Sequence, residues 1–208
     1  INFVWDPLIY HPVVGFDPFI MHPSPPGAGH LLGTDPIGRD ILAQLMFSTG
    51  REFLLGMLSA VISVVVGTFI GAMAAYYGGF TDTLFMRVAD IVMLFPFVPL
   101  LVVIGSMIRL GIFPFAIILG FLEAFGGITV ILKAQALQVK VRPYIDAARV
   151  AGGSDLHIIR AHIIPNVLPL SFLYMMFNVT AAIVSEATLS FFGILNIDMS
   201  WGMMIHTA

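Results

Sequence analysis

A run of 29 residues, positions 53–81, contains no charged side chain, and it constrains the fold more than any other feature of the sequence. A bilayer core about 30 Å thick is crossed by roughly 20 residues of α-helix, so the run is long enough to span a membrane. The composition agrees, because 59% of the residues are hydrophobic and only 10% are charged. Soluble domains carry roughly 25% charged residues to cover their surface. The sequence therefore predicts an integral membrane protein.

Three further apolar segments extend this prediction to an all-α, polytopic bundle of transmembrane helices. Gly78 and Gly79 are expected to end the first helix. Pro96 and Pro99 interrupt the second, and proline in a membrane helix frees carbonyl groups that need protein or a water-lined cavity beside them. The predicted spans are about 53–77, 84–107, 114–132 and 166–191.

Two glutamates lie within these spans. Glu123 is near the middle of the third span, where an ionisable group is costly and therefore a functional candidate. It is a candidate for lining a translocation pathway, together with Pro96 and Pro99. The alternative is a carboxyl group that is protonated or paired with a neighbouring helix. Glu186 is a further pathway candidate, although its position near the end of a span favours anchoring or pairing.

Small side chains recur at every fourth position of the first span. In lipid, such a stripe lets another helix approach closely, because hydrophobicity alone does not drive helices together there. We expect a helix-packing face on this side of the span, with an ordinary content of small residues as the alternative. The stripe consists of Ser59, Ser63, Gly67, Gly71 and Ala75.

Residues 1–51 form a proline-rich lead-in, which we separate from a transmembrane domain at 52–208. Proline at this density excludes long helices, so only a short helix at about 40–47 is expected. The lead-in contains His11, His22 and His30, which are eleven and eight residues apart. This spacing does not predict a metal site, and the absence of cysteine removes thiolate ligands and nucleophiles. No metal or other cofactor is expected.

The basic residues predict which side of the membrane each loop faces. Residues 78–90 and 133–165 contain six of the nine lysines and arginines, and the other three are Arg39, Arg51 and Arg109. By the positive-inside rule, 133–165 is cytoplasmic, whereas 1–51 and about 193–208 are extracytoplasmic. Basic residues this sparse, with a net charge of −3, exclude a nucleic-acid partner.

The polar stretch 133–165 is predicted to form two short helices around a turn. Leu137, Val141 and Ile145 suggest an apolar stripe on the first helix. Gly152 and Gly153 break the chain, Ser154 can cap a second helix at 155–163, and Pro165 is expected to mark where the membrane helix starts again. A compact element of this kind suits docking of a soluble partner, although a simple connecting loop is the alternative.

A family resemblance starts from residues 146–152, Asp-Ala-Ala-Arg-Val-Ala-Gly. This segment resembles the EAA signature of permease subunits in binding-protein-dependent ABC importers, in which the signature loop contacts the ATPase. The continuation to Asn166 is similar to the dipeptide, oligopeptide and nickel branch. Departures are Asp146 in place of Glu, His162 in place of Ile, and a short stretch between Gly193 and Trp201. Further similar stretches are 32–40, 77–90, 186–193 and 200–202.

The resemblance implies a type I, methionine-importer-like permease fold of six spans, with the remaining two before residue 1 and after residue 208. It implies two ABC ATPase subunits, a second homologous permease subunit and an extracytoplasmic substrate-binding protein as partners, within a lipid bilayer. The implied cargo is a peptide or a related solute such as nickel or an oligosaccharide. The residues implied in ATPase coupling are Asp146, Ala147, Ala148, Gly152, Gly153, Ser154 and Asp155.

The sequence contains no G-x-x-x-x-G-K-[ST] phosphate-binding loop, so ATP hydrolysis is assigned to partner subunits rather than to this chain. The main alternative is a channel or an ion-coupled carrier that uses Glu123 and the proline-broken helix. An intramembrane enzyme is not supported, because no Ser/His or paired-Asp arrangement occurs at a common depth.

Overall fold

The computed structural model describes residues 7–19, 21–27, 29–108, 110–195 and 197–208. Within these ranges the regular structure is helical, apart from one isolated antiparallel bridge between Thr34 and Asp40. Two π-helical turns, Ala124–Ile128 and Ile159–Ile163, join consecutive helices. The helices are α1 (Pro7–Tyr10), α2 (Ile41–Tyr77), α3 (Gly79–Leu94), α4 (Phe97–Met107), α5 (Ile112–Glu123), α6 (Thr129–Lys140), α7 (Pro143–Val150), α8 (Asp155–Ile158), α9 (Ile164–Phe191) and α10 (Trp201–Thr207).

Three helical stretches of the described chain are long and apolar enough to cross a membrane. They are Ile41–Tyr77, Ile112–Lys140 and Asp155–Phe191, the last two running through the π-helical turns. Helices α3 and α4 bend by 84° at their junction and form either a fourth, broken span or a re-entrant pair. The prediction of an all-α membrane bundle is confirmed.

The bend between α3 and α4 has one cause in the sequence. Phe95 is extended, with φ −83° and ψ 132°, because Pro96 disfavours the helical conformation in the residue before it. Pro99 lies in the first turn of α4, where a backbone N–H has no partner within the helix anyway. The predicted second span is therefore interrupted once, at Pro96, and Pro99 does not break it.

Helix α2 is longer than expected. The short helix expected at 40–47 and the span expected from residue 53 form one continuous helix, Ile41–Tyr77. Asp40 starts it, since Oδ2 accepts a hydrogen bond from the backbone N–H of Ala43 at 2.7 Å. At the other end, Gly78 and Gly79 have φ of 65° and 51°, a conformation that favours glycine and ends the helix as predicted.

The last long helix also differs from its prediction. The sequence predicts that the membrane helix starts again at Pro165. In the structure, helical structure continues without a break from Asp155 to Phe191. A proline lacks the N–H that a regular helix needs and crowds the preceding turn. The π-helical turn Ile159–Ile163 immediately before it provides the wider turn that lets the helix pass.

The chain forms two compact units. Unit 1 comprises Ile1–Leu55, Leu101–Pro114 and Ile183–Ala208, and unit 2 comprises Gly56–Leu100 and Phe115–Ala182. Unit 2 has a continuous apolar core built from the end of α2, α6, α7 and α8 and the start of α9. Its most deeply buried members include Leu132, Ala136, Ile145, Ile158, Ile159, Ile163 and Val167.

In unit 1, the lead-in is ordered by hydrogen bonds to carboxylates before α2 begins. Asp35 accepts bonds from the N–H groups of Ile37 and Arg39, from Nε of Arg39 at 2.7 Å, and from Nε2 of Gln44. Burial opposes ionisation of Asp35, but these donors outweigh it and lower its pKa below the ordinary value. His30 is buried between two carboxylates. Its Nε2 lies 3.2 Å from Asp17 Oδ2, and its Nδ1 lies 3.0 Å from Asp40 Oδ1.

Candidate functional site

The predicted coupling residues lie together on the segment α7–turn–α8 of unit 2.

The prediction of an apolar stripe across Leu137, Val141 and Ile145 is wrong. Arg142 is extended, because it precedes Pro143, so α6 ends at Lys140 and a separate helix begins. As a result Ile145 is fully buried, whereas Val141 is 76% exposed.

Helix α7 presents most of its surface to the outside. Ile145 is its one buried residue and Ala148 is half-buried, while Asp146, Ala147 and Val150 are exposed. The Asp146 carboxylate pairs with Nη1 of Arg149 at 3.0 Å on this outer face. Val150, an apolar side chain, is 91% exposed. The helix is therefore held by a single buried anchor and leaves a mixed polar and apolar face available to a partner.

The two glycines after α7 have separate reasons to be there. Gly152 has φ 85°, which favours glycine, and its N–H donates to the carbonyl of Arg149. The N–H of Gly153 donates to the carbonyl of Ala148, which completes a Schellman motif. A Cβ on Gly153 would lie 2.9 Å from that carbonyl oxygen. The prediction that the glycine pair ends the helix is confirmed, and the turn it makes is tight and specific.

Ser154 and Asp155 start the next helix and attach it to α2. Ser154 Oγ accepts the N–H of His157, which confirms the predicted cap. The Asp155 carboxylate accepts a hydrogen bond from the Tyr76 hydroxyl at 2.7 Å. Tyr76 is 7% exposed and lies one residue before the end of α2. Asp155 is thus a structural link between the turn and the first span.

Two further contacts, not foreseen from the sequence, attach the end of α6 and helix α7 to the end of α2. Lys140 Nζ donates to the carbonyl of Ala75 at 3.0 Å, and the Arg149 guanidinium lies over the Tyr76 ring at 5.3 Å from its centre. A lysine on the last carbonyls of a helix also interacts favourably with the helix dipole. The one available signal was the pair of tyrosines that closes the uncharged run, since aromatic residues are enriched at membrane surfaces.

The small-residue stripe of α2 lies, within unit 2, against the helix that contains α5 and α6. A Cβ on Gly67 would meet Ile128 at 2.7 Å, and one on Gly71 would meet the backbone nitrogen of Lys133 at 2.9 Å. Ser59, Ser63 and Ala75 are buried, and the Ser63 hydroxyl accepts a hydrogen bond from Asn178 Nδ2 at 2.6 Å. These glycines lie where a larger residue would not fit.

The pathway candidates are distributed over both units. Glu123 ends α5, beside the π-helical turn in which Gly126 departs from helical geometry (φ −89°, ψ −141°). Its Oε2 atom is buried and has no hydrogen-bond partner among the described residues, and Ser59 is a nearby polar side chain. Pro96 lies at the 84° bend of unit 2. Glu186 belongs to unit 1 and is 1% exposed.

The histidines of the lead-in serve local structure. His22 Nε2 lies 2.6 Å from the carbonyl of Asp17, and His11 Nδ1 accepts backbone N–H groups of Val13 and Val14. Across the described residues, no group of three or more His, Asp or Glu side chains is arranged to hold a metal ion.

The chain is similar to known membrane components of transport systems. Residues 67–207 match the family described as the inner membrane component of binding-protein-dependent transport systems. A Brucella suis biovar 1 protein described as a peptide transport system permease is 40% identical over 185 residues, covering 88% of this chain and 62% of that protein.

Two relatives with more specific descriptions are somewhat less similar. The oligopeptide transport system permease protein OppC of Haemophilus influenzae is 36% identical over 178 residues, covering 85% of this chain and 57% of OppC. The dipeptide transport system permease protein DppC of Bacillus subtilis is 34% identical over 186 residues, covering 88% of this chain and 57% of DppC. The chain therefore spans about three-fifths of the length of these relatives.

Proposed function

Because the chain belongs to the family of inner membrane components of binding-protein-dependent transport systems, we propose that it forms half of the translocation pathway of an ATP-driven peptide importer. In this proposal the segment 143–158 docks on ATPase subunits that close when they bind ATP. The partners are two such subunits, a second homologous permease and an extracytoplasmic binding protein. Residues 133–165 face the cytoplasm, whereas 1–51 and about 193–208 lie outside.

The observation that carries the proposal is the combination of an exposed α7 with a tightly fixed turn behind it. A connecting loop does not need a Schellman motif, a serine cap and three contacts to the end of α2. A docking element needs all of these, because force applied to it must reach the spans without being absorbed by local bending. For the same reason we favour the importer over an ion-coupled carrier based on Glu123.

The path for such force is continuous. Helical structure runs for 37 residues from Asp155 to Phe191, a length of roughly 55 Å at 1.5 Å per residue. Displacement of the turn by closing ATPases would therefore move the whole last span and shift the equilibrium between two arrangements of the bundle. In this scheme Glu123 and Pro96, with Pro99, remain candidates for lining the pathway, whereas Glu186 is buried within unit 1.

A bulky substitution on the exposed face of α7 tests the docking role. Ala147→Arg should leave insertion unchanged and reduce binding-protein-stimulated ATP hydrolysis by at least tenfold in the complete complex in proteoliposomes. Val14→Arg is the matched control, because Val14 is 75% exposed and belongs to the lead-in. Stimulation in Ala147→Arg that equals that of the unsubstituted protein would refute the docking assignment.

A further inference from the structure

Two glutamates of unit 1 face each other away from water. Glu52 on α2 is 2% exposed and Glu186 on α9 is 1% exposed. Trp201 donates its N–H to Glu52, and the next residue, Gly202, packs against Ala187, which follows Glu186, so the two carboxyl groups lie close together. The α10 helix starts beside them, and it packs so closely on α9 that a Cβ on Gly202 would collide with the carbonyl of Ala187.

The hydrogen bonds of the pair are incomplete in a specific way. Glu52 Oε1 accepts the backbone N–H of Trp201 at 3.2 Å, and Glu186 Oε1 accepts the hydroxyl of Ser190. The second oxygen of each group, Oε2, is buried and has no hydrogen-bond donor among the described residues. An ionised carboxylate can only accept hydrogen bonds, so two ionised groups would leave both oxygens unsatisfied and repel each other.

No cation of the described chain neutralises the pair. Glu186 is the charged group that acts on Glu52. Arg51, the neighbouring residue, instead lies over the Phe47 ring at 4.2 Å and reaches Asp198 at 3.8 Å. On α10, His206 stacks against Phe191.

We propose that Glu52 and Glu186 form a proton-binding site in which one proton is shared between the two carboxyl groups. One carboxyl group then donates its O–H to the other, which leaves one negative charge in this buried place instead of two. Through Glu52 Oε1 and the Trp201 N–H, the site connects α2 and α9 to the first residue of α10. Loss of the proton creates two like charges and loosens this connection. The site does not depend on the proposed transport function.

Trp201 provides a reporter for the site. The sequence has two tryptophans, so Trp5→Phe leaves Trp201 as the single indole of these 208 residues, and its Nε1 is buried. In detergent, Trp201 emission should change with a single-proton transition as pH rises. Glu52→Gln and Glu186→Gln should each abolish that transition, because an amide N–H donates to the remaining carboxylate without a titrating proton. Glu123→Gln, a change in unit 2, should retain it.

Infrared difference spectra provide a second measurement, which does not need the Trp5→Phe substitution. Subtracting either Gln variant from the wild type should reveal one protonated carboxyl band that shifts in deuterated water. The histidines remain in every variant, so their titration cancels in this comparison. The proposal is overturned if the wild type has no such band, or if the pH transition of Trp201 persists in both Gln variants.

Discussion

The α7–turn–α8 segment of unit 2 and the Glu52–Glu186 contact of unit 1 both connect chain elements through polar groups, but they do so differently. In the first, the Tyr76 hydroxyl, Lys140 and the two glycine N–H groups all have acceptors. In the second, an oxygen of each carboxyl group has no donor. A network in which every polar group has a hydrogen-bond partner holds its elements rigidly. The contact between the two carboxyl groups, in contrast, depends on a bound proton. The difference suggests that force enters at the rigid segment and that the acid pair is the place where pH acts.

The largest effect is expected from breaking the rigid segment at its turn. Gly152→Pro cannot adopt φ 85°, and it removes the N–H that donates to Arg149. The protein should still insert, but stimulated ATP hydrolysis in the assembled complex should fall to the basal level. Gly152→Asn is the matched control, since asparagine tolerates positive φ, and it should retain most of the stimulation. A proline variant with full stimulation would show that the turn does not transmit force.

The next effect tests whether the close packing of α2 against α6 stabilises the segment. Gly71→Ala places a methyl group 2.9 Å from the backbone nitrogen of Lys133, so we expect a loss of about 1–3 kcal/mol in the free energy of unfolding. Gly50→Ala on the same helix has no atom within 4 Å and should instead stabilise by about 0.5–1 kcal/mol. Thermal unfolding in detergent measures both changes. Equal effects at the two positions would contradict the packing assignment.

A smaller effect is expected from removing one contact between the segment and α2. Tyr76→Phe deletes the hydrogen bond to Asp155 and should cost about 1 kcal/mol of stability, with a partial loss of stimulated hydrolysis. Tyr77→Phe, at the next position of α2 and 48% exposed, is the control and should change neither quantity. Full stimulation in the Tyr76 variant, combined with the stability loss, would limit this contact to a structural role.

The smallest effect distinguishes two kinds of buried carboxyl group in unit 1, Asp35 with several hydrogen-bond donors and the Glu52–Glu186 pair with few. The pKa of Asp35 is lowered in the folded protein, so its contribution is present above its unfolded pKa and is lost as pH falls through the folded value. Asp35→Asn should therefore flatten the acid limb of the stability profile. The Glu52–Glu186 pair has no such set of donors, because one oxygen of each carboxyl group has no partner among the described residues. An acid limb that is unchanged in Asp35→Asn would refute the assignment.

Much of the fold could be predicted because single residues decide it locally. The uncharged run lies in a long helix, the glycines at 78–79 and 152–153 end helices, and Ser154 caps the start of one, all as expected. The prediction did not extend to places where two signals compete. Pro165 signals a break, but the adjacent π-helical turn absorbs it, and Pro143 disrupts a stripe that periodicity alone predicted across Val141.

The candidate site was predictable in position but not in its connections. The segment 146–155 was identified from its residue pattern, yet Tyr76 and Lys140 are distant in sequence and carry no motif. The Glu52–Glu186 contact was missed for a related reason. Glu52 lies at the edge of the uncharged run, where a charged residue is normally exposed to water, and only the packing of α9 and α10 buries it.

The most direct test of the central claim is a site-specific cross-link. The chain has no cysteine, so Ala147→Cys introduces a unique attachment point on the exposed face of α7. Labelled with a short photo-activated cross-linker in the complete complex, it should attach to an ATPase subunit, whereas Val14→Cys should not. Cross-linking of Val14→Cys but not Ala147→Cys to an ATPase subunit would contradict both the docking role of the segment and its proposed cytoplasmic location.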